Sequence, residues 1–419
     1  MVSTNNDSMF GTKVLMLVKN TFVSDARVMR EATALSANGY QVTVVALLGA
    51  GTPSHEVRDG IEVVRVSRGF GSRLRNATDP NSGTGQVSAG LLKRVLVRVV
   101  QCLGASPLGD LIQHSIDRRM IKVALSQSPN LVHAHDLDTL AAGVAVSKKL
   151  NIPLVYDSHE MASGRNLASK GRMNRARKLE AKLIPNAKAV IMASEGYAKR
   201  AEDLYEIKNS TVLLNVPDVT TVETNGFDLR TRFGIPASHL LLVHQGVLLP
   251  NRGVDQVIEA VELCENVSLA IIGYGMYVPF LKNLVSQRKL ENRVHFLGAV
   301  PAGDLVSWSA SADVGICTIV GNSDSYRHSM PNKLFEYAMA GLPVIASNYE
   351  GMGSFVIEND FGITCDPISV SELAAAIKAL QDDSELRARL ANNAKIASSK
   401  FNWQVEQEKL LAVYAHLVA

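Results

Sequence analysis

The chain has 419 residues, of which 47% are hydrophobic and 20% charged, and its formal net charge is +3. This balance is typical of globular proteins and excludes a largely disordered chain, and so small a charge does not indicate a nucleic-acid partner. Because the length exceeds what one hydrophobic core usually organises, we expect two domains of roughly 200 residues each.

No targeting or membrane-spanning signal is evident in the sequence. The stretch MVSTNNDSMFGTK at 1–13 is polar, and no apolar run approaches the roughly 18 residues that a membrane span needs. The four cysteines are far apart and show no CxxC spacing, which is typical of reduced, buried thiols. These features predict a cytoplasmic protein. The cysteines are Cys102, Cys264, Cys317 and Cys365.

Short apolar runs alternate with helical segments through the first half. KVLMLVK at 13–19 predicts a strand, and the spacing of Val28, Ala32 and Leu35 predicts a helix after it. Further strands are predicted at 41–47, 62–66, 131–135, 153–159 and 189–194. Most of these runs are apolar throughout, which is typical of a parallel sheet covered by helices on both faces. VLLNVPD at 212–218 closes this half with a linker.

A second series of the same kind follows. Its strands are predicted at 240–246, 267–275, 293–298, 313–319, 343–347 and 362–366. Two such series in tandem imply two doubly wound α/β domains that face each other across a cleft lined by strand ends. We therefore predict domains at 1–217 and 218–400. A last helix at 401–419 is expected to pack at their junction or back on the first domain.

Several familiar catalytic motifs are missing. No GxGxxG follows the first strand, which disfavours a nicotinamide or flavin oxidoreductase, and P-loop, HExxH, GxSxG and metal-type cysteine patterns do not occur. We predict no metal site.

The remaining candidates are strand-to-helix turns that carry basic residues. Arg252 and Gly253 stand at such a turn, where the glycine admits a ligand and the arginine suits a phosphate. The alternative is a solvated arginine in a turn.

The segment PNKLFEYAMAGLPVIAS at 331–347 supplies a second cation. A helix predicted from Pro331 to Gly341 has Lys333 in its first turn, where the helix dipole disfavours a positive charge. Glu336 lies three residues further on, and the alternative is an exposed ion pair between the two. Two cations at comparable turns suit a diphosphate, and a nearby carboxylate suits the hydroxyls of a ribose. Together they indicate a nucleoside diphosphate.

With these residues in place, the sequence resembles the retaining glycosyltransferases of family 4, which have the GT-B fold. The matching segments are SDARVMREATALSANGYQVTVVA (24–46), LVHAHDLDTLAAGVA (131–145), VYDSHE (155–160), LLNVPD (213–218), GVLLPNRGVDQVIEA (246–260), IIGYG (271–275), VHFLGAVP (294–301) and PNKLFEYAMAGLPVIAS (331–347). The resemblance implies a transferase that moves a sugar from a nucleotide-sugar to a hydroxyl acceptor. No metal or other cofactor is then required, and we favour UDP over GDP as the nucleotide.

The resemblance also implies roles for particular residues. Arg252 and Lys333 bind the diphosphate and are catalytic, and Glu336 holds the ribose. The backbone around Gly298 and Val300 contacts the base.

Two positions depart from the family pattern. His328 stands where an acid usually precedes Glu336 by eight residues, so we expect His328, Ser325 or Tyr326 to contact the donor sugar. Val247 replaces an arginine that usually follows the glycine. Because of these departures, a non-catalytic protein that binds nucleotide-sugars is the alternative hypothesis.

The first domain offers candidates for the sugar and the acceptor. His159 is the third catalytic candidate: it resembles a family histidine that contacts the transferred sugar, as a neutral hydrogen-bonding group, and its alternative is a structural role. Asp136 is expected to approach the acceptor. Asp25 and Arg27 follow the first strand, where this fold positions an acceptor loop. Their alternative is a helix N-cap with a first-turn surface charge.

Two basic stretches suggest a membrane surface. Residues 91–102 predict an amphipathic helix, and residues 165–182 contain seven basic side chains and one acid. Such surfaces bind anionic lipid, so peripheral contact with the inner face of the membrane is one hypothesis. The alternative is a buried-face helix and a solvated basic helix.

Overall fold

Two β-sheets organise the protein. A computed structural model describes residues 11–69, 107–164, 170–219, 222–223 and 225–418. Within these ranges the first sheet has eight strands and the second has six. Each sheet has a buried apolar cluster on either face, where helices cover it. This confirms the predicted fold class of two doubly wound α/β units.

The first sheet contains the strands of the N-terminal half. They are β1 (Lys13–Leu17), β2 (Gln41–Leu47), β3 (His55–Arg58), β4 (Ile61–Val66), β5 (Leu131–His135), β6 (Leu154–Ser158), β7 (Ala189–Met192) and β8 (Thr211–Val212). The spatial order is β3-β4-β2-β1-β5-β6-β7-β8, and only the β3–β4 pair is antiparallel. In β1, Val14 and Met16 face one apolar cluster while Leu15 and Leu17 face the other, which explains the continuous apolar run.

Helices connect these strands. They are α1 (Ala26–Ala37), α2 (Pro107–Ser126), α3 (Asp136–Leu150), α4 (Lys170–Leu183) and α5 (Glu195–Tyr205), and a short 3-10 turn covers Ala162–Gly164. Residues 91–102 and 165–169 lie outside the described residues. No described helix is both long and apolar enough to span a bilayer.

The second sheet is parallel throughout, in the order β11-β10-β9-β12-β13-β14. Its strands are β9 (Leu240–Gln245), β10 (Val267–Ile272), β11 (Val294–Gly298), β12 (Val314–Cys317), β13 (Val344–Ser347) and β14 (Gly362–Cys365). Its helices are α6 (Leu229–Phe233), α7 (Val254–Glu262), α8 (Val278–Gln287), α9 (Leu305–Ala310), α10 (Asp324–Arg327), α11 (Asn332–Met339), α12 (Met352–Glu358), α13 (Val370–Asp382) and α14 (Ser384–Lys400).

The strand order reverses at one point in each sheet. β1 lies between β2 and β5, and β9 lies between β10 and β12. Connections leave such a switch point toward opposite faces, so a crevice opens at the carboxyl ends of the central strands. The candidate residues for ligand binding follow β9, β12, β5 and β6.

The last helix, α15 (Trp403–Val418), packs on the first domain. Its buried residues Trp403, Leu410 and Tyr414 belong to the same apolar cluster as Val14 of β1. The Tyr414 hydroxyl lies 2.8 Å from His133 Nδ1 in β5. The C-terminal helix therefore returns to the N-terminal sheet after the second domain is complete.

Two predictions about local structure need adjustment. Strand β3 is absent from the sequence prediction, because its HEVR sequence is polar and lies exposed at a sheet edge. The helix expected from Pro331 to Gly341 is shorter, Asn332–Met339, with Pro331 as its N-cap.

Candidate active site

Helix α11 places Lys333 beside Arg252 at the carboxyl ends of β9 and β12. Burial lowers the pKa of Lys333 to about 8, and repulsion from the Arg252 guanidinium contributes to the decrease. Neither side chain forms a salt bridge to any carboxylate of the described chain. The two cations thus lie near each other without a carboxylate partner in the described chain, an arrangement that favours a diphosphate.

Tyr337 fixes α11 against the sheet. Its hydroxyl accepts a hydrogen bond from Gln245 N (3.0 Å) and lies 3.2 Å from the carbonyl oxygens of Val243 and Ile316. A Cβ at Gly315 would lie 2.5 Å from the Tyr337 ring, so β12 needs glycine there. These contacts of Tyr337 hold α11 against the sheet, and Lys333, one turn earlier on the helix, is positioned with it.

The turn before α7 presents Arg252. Gly253, the N-cap of α7, has a φ of 71°, and a Cβ there would lie 2.7 Å from Thr318 Oγ1. The same Thr318 hydroxyl donates to the Arg252 carbonyl oxygen (2.9 Å). Position 253 therefore requires glycine for two reasons. Its backbone is left-handed, and Thr318, the residue directly after β12, lies too close to admit a side chain.

The loops after β9 and β10 touch backbone to backbone. Gly273 has a φ of 149°, and a Cβ on it would lie 1.9 Å from the Gly246 carbonyl oxygen. Val247, at the departure from the family pattern, is 43% exposed beside this contact. Gly298 has a φ of 90° with open space where a Cβ would stand, and Val300 is half-buried nearby. This leaves room over the 298–300 backbone, where the base is predicted to bind.

Glu336 lies on the same helix as Lys333, at the end of β9. Gln245 Nε2 donates a short hydrogen bond to Glu336 Oε2, and Ser309 Oγ donates to Gln245 Oε1 at 2.5 Å. Burial raises the pKa of Glu336, while the Gln245 hydrogen bond and the charges of Arg30 and Lys333 oppose the rise. Sequence reasoning missed Gln245, Ser309 and Tyr337, although Gln245 directly precedes the glycine at the strand end.

His159 lies at the end of β6, between two carboxylates. Its Nε2 is 3.2 Å from Asp157 Oδ2, its Nδ1 is 3.6 Å from Asp136 Oδ2, and its backbone N donates to Asp136 Oδ1 (3.0 Å). Burial opposes protonation, but Asp136 and Asp157 together raise the pKa of His159 to about 9. The expectation of a neutral imidazole is therefore wrong, because the two acids stabilise the imidazolium. The side chain is 21% exposed.

Arg27 is enclosed in the first domain, with 4% of its side chain exposed. Its guanidinium pairs with Asp157 through Nη2–Oδ1 (2.9 Å) and Nε–Oδ2 (3.2 Å), and Nη1 donates to the Leu213 carbonyl oxygen (2.9 Å). Its Nε also lies 2.9 Å from Glu31 Oε1. Burial and the nearby Asp157 raise the pKa of Glu31 above its ordinary value, while the Arg27 guanidinium opposes the rise.

Asp25 caps α1, with Oδ1 accepting from Val28 N (3.2 Å) and Oδ2 accepting from Asn20 Nδ2 (2.6 Å). Asp25 is thus the N-cap that the sequence analysis gave as its alternative. Arg27, by contrast, is not a surface charge but a buried ion-pair partner.

One cluster in the described chain has ligand-type atoms within 4.8 Å of one another. It consists of Glu31, His133, His135 and Asp157. Arg27 already neutralises Asp157 within it, and His135 Nδ1 lies 3.2 Å from His159 Nε2. The cluster is thus an ion-pair and histidine network that supports His159 from behind, and a cation would have to displace the guanidinium.

Ser325, Tyr326 and His328 lie on or next to α10, where the second domain meets the first. The Tyr197 hydroxyl donates to the Ser325 carbonyl oxygen (2.7 Å), and Ser194 Oγ donates to the His328 carbonyl oxygen (2.7 Å). The His328 imidazole packs on a glycine of α5 and lies 3.4 Å from Glu350 Oε2. His328 also borders a cavity of about 580 Å³ between the domains.

The fold and these facing sites define a two-domain transferase of the GT-B architecture. A family model described as "Glycosyl transferase 4-like domain" matches residues 24–215, and one described as "Glycosyl transferases group 1" matches residues 227–397. The chain belongs to the GT-B glycosyltransferases of the family 4 type, as its motifs indicated.

Individual relatives agree with this assignment. Glycogen synthase from Mycobacterium tuberculosis is 24% identical over 404 residues, which cover 91% of this chain and 88% of the relative. D-inositol 3-phosphate glycosyltransferase from Arthrobacter sp. (strain FB24) is 26% identical over 290 residues, covering 66% of this chain and 68% of the relative.

Solved structures share the fold. Sucrose-phosphate synthase from Thermosynechococcus elongatus superposes with a TM-score of 0.74 at 17% identity, covering 97% of this chain and 99% of that one. Anabaena HepE in complex with UDP-glucose has a TM-score of 0.70 at 20% identity and covers 97% and 100%.

Proposed function

We propose that the protein is a retaining, metal-independent transferase that moves a sugar from a nucleoside diphosphate sugar to a hydroxyl acceptor. The observation that carries the proposal is the pair of neighbouring cations, Arg252 and Lys333, which has no carboxylate partner in the described chain. A donor diphosphate supplies the missing negative charge. UDP is the favoured nucleotide, and the HepE complex with UDP-glucose supports that choice.

The cations act on the leaving group. As the bond between the anomeric carbon and the phosphate oxygen breaks, its electron pair passes to the diphosphate, where Arg252, Lys333 and the N-termini of α7 and α11 stabilise the growing charge. The sugar becomes oxocarbenium-like. The acceptor hydroxyl attacks from the face that the diphosphate is leaving, and its proton passes to a phosphate oxygen, so the configuration is retained.

The remaining residues bind and orient the substrates. Glu336 holds the ribose, and the backbone at Gly298 and Val300 contacts the base. The protonated His159 donates a hydrogen bond to the donor sugar, and Asp136, which is partly exposed beside it, approaches the acceptor.

The residues at the domain junction are proposed to contact the donor sugar. Ser325, Tyr326 and His328 border the sugar from that side. Arg27 is enclosed in the first domain and the half-buried Asp25 caps α1, so neither residue is proposed as an acceptor contact.

Binding and turnover test the proposal directly. Purified protein is screened by thermal shift with UDP, GDP, ADP and dTDP, and sugars linked to the best nucleotide are then assayed for hydrolysis and transfer with EDTA present. We expect UDP to raise Tm most and the product to keep the anomeric configuration of the donor by NMR. An inverted product, or loss of activity in EDTA, would contradict the mechanism. Tight binding without hydrolysis or transfer would favour a non-catalytic nucleotide-sugar-binding protein.

A cytoplasmic location with peripheral membrane contact is also proposed. Helix α4 presents exposed basic side chains at Arg175, Arg177, Lys178 and Lys182, next to the exposed Leu179. Such a face suits anionic lipid and would bring the enzyme to a lipid-linked acceptor. The test is co-sedimentation with vesicles containing phosphatidylglycerol at low salt, where a protein that stays in the supernatant would contradict membrane contact.

A further inference from the structure

Two buried polar residues of the second domain have no role in the mechanism above. Gln245 is the last residue of β9, and Ser309 lies in α9. Both side chains are buried, with at most 1% of either residue exposed. Buried amides and hydroxyls are costly unless they are hydrogen-bonded, so their partners are informative. They bond to each other and then to Glu336, forming a chain from Ser309 through Gln245 to the proposed ribose carboxylate.

The chemistry of the groups allows one orientation of the Gln245 amide. A carboxylate only accepts hydrogen bonds, so the side of the amide that faces Glu336 is the NH₂ group. The amide oxygen then faces Ser309, whose hydroxyl donates to it at 2.5 Å. Ser309 therefore selects the amide orientation that Glu336 requires. The reverse orientation would set two acceptors against each other.

The backbone of Gln245 is fixed as well. Its N–H donates to the hydroxyl of Tyr337, the residue after Glu336 on α11. Strand β9 and helix α11 are thus joined on both sides of the carboxylate. One carboxylate oxygen, Oε2, is used by the amide, and Oε1 makes no hydrogen bond within the described chain. A fixed carboxylate with one free oxygen is prepared to accept from hydroxyl groups of a ligand.

We propose that Ser309 and Gln245 are positioning residues that fix the Glu336 carboxylate for the ribose hydroxyls, which makes the site selective for ribonucleoside over 2′-deoxyribonucleoside diphosphates. The inference rests on the proposed function, in which Glu336 holds the donor ribose. This chain of hydrogen bonds, from Ser309 through Gln245 to Glu336, orients the carboxylate before the nucleotide binds. Less side-chain entropy is then lost on binding.

The test compares UDP with 2′-deoxy-UDP by isothermal titration calorimetry. We expect the wild-type protein to bind UDP about 10- to 100-fold more tightly, the range for one hydrogen bond to a charged group. In Gln245→Leu, the ratio of the affinity for UDP to the affinity for 2′-deoxy-UDP is expected to fall toward 1, with little change in the affinity for 2′-deoxy-UDP. Ser309→Ala lowers the ratio by less, because the amide is still present but free to turn. Ser309→Thr retains the hydroxyl and restores the ratio.

Inorganic pyrophosphate serves as the internal control. Because the Arg252–Lys333 pair is untouched, each variant is expected to bind pyrophosphate like the wild-type protein, whereas a general packing defect would weaken both ligands. If Gln245→Leu leaves the ratio of the UDP and 2′-deoxy-UDP affinities unchanged, the positioning role of Gln245 and Ser309 is overturned. If Gln245→Leu does not fold, an unchanged ratio in Ser309→Ala overturns it.

Glu336→Gln separates this inference from the proposed function. If that variant keeps the full ratio, Glu336 does not hold the ribose and the proposed site itself is wrong. If it loses the ratio while Gln245→Leu keeps it, the ribose assignment stands and only the positioning role fails.

Discussion

Both domains hold basic side chains near the carboxyl ends of their strands, but only the first domain pairs such a charge with its own carboxylates. In the first domain, the buried Arg27 forms a bidentate pair with Asp157 and contacts Glu31. In the second, Arg252 and Lys333 repel each other electrostatically, and neither has a carboxylate within salt-bridge distance in the described chain.

This difference distinguishes a structural ion-pair network from the proposed binding site. A buried cation whose charge is already compensated has no further need of an anion, and its loss leaves an unpaired charge behind. Two cations that repel each other are unfavourable until an anion arrives, and binding relieves that cost. We infer that the Arg27 network maintains the fold around His159, whereas the Arg252–Lys333 pair exists for the donor.

The largest expected effect is on stability in the first domain. Arg27→Ala leaves Asp157 buried without its partner, so we expect the free energy of unfolding to fall by about 3–5 kcal/mol. The measurement is chemical denaturation of the purified variant. Arg288→Ala is the matched control, since Arg288 pairs with Glu259 at the surface and such pairs contribute at most about 1 kcal/mol. Equal stability of the two variants would break the comparison between scaffold and site.

The second effect is on catalysis and leaves the fold intact. Lys333→Ala or Arg252→Ala removes one preorganised cation, so kcat/KM is expected to fall by roughly 10²–10³-fold. Tm should not decrease, because the mutual repulsion is removed with the charge. Lys378→Ala, at an exposed position on α13, controls for general loss of a lysine. Near-wild-type turnover in both site variants would refute the diphosphate assignment.

The pH dependence of kcat/KM sharpens the comparison further. The folded pKa of Lys333 is lowered to about 8, so its charge is lost as pH rises through 8, although an unfolded lysine would keep it to about 10.5. We expect kcat/KM to fall by up to tenfold per pH unit above pH 8. In Lys333→Arg the decrease in kcat/KM should begin at a higher pH, because arginine stays charged. The remaining decrease is then expected near pH 9, where His159 loses its proton. A limb unchanged in Lys333→Arg would argue against Lys333 as its source.

The smallest effect concerns the start of α1. Asp25→Ala removes the side chain that accepts from Val28 N, and losing such an N-cap costs about 0.5–2 kcal/mol of stability. Asp25→Asn keeps a capping oxygen and should recover most of the loss. We expect kcat/KM to be nearly unchanged in both, since Asp25 acts as the N-cap of α1. A large loss of kcat/KM at normal Tm would instead return Asp25 to the acceptor site.

Much of the fold could be predicted because its signals are local. Continuous apolar runs indicated most of the parallel strands, and β3 was missed because edge strands bury little and lack that signal. The two cations of the proposed donor site could be found for a similar reason, since each stands at a recognisable strand-to-helix turn. Gln245 could not be assigned, because an isolated glutamine at a strand end says nothing about its partner.

The amino-acid sequence by itself determined most of the elements, their order along the chain and the candidate residues at strand ends, including Lys333 and Arg252. Only the tertiary structure decided which of these residues are paired. Arg27 meets Asp157 across 130 residues, and His133 meets Tyr414 across 281. Such pairings depend on sheet order and helix docking, which bring distant residues together, and no local periodicity encodes them. The sequence thus supplied the charges, and the fold decided which ones remained available for a ligand.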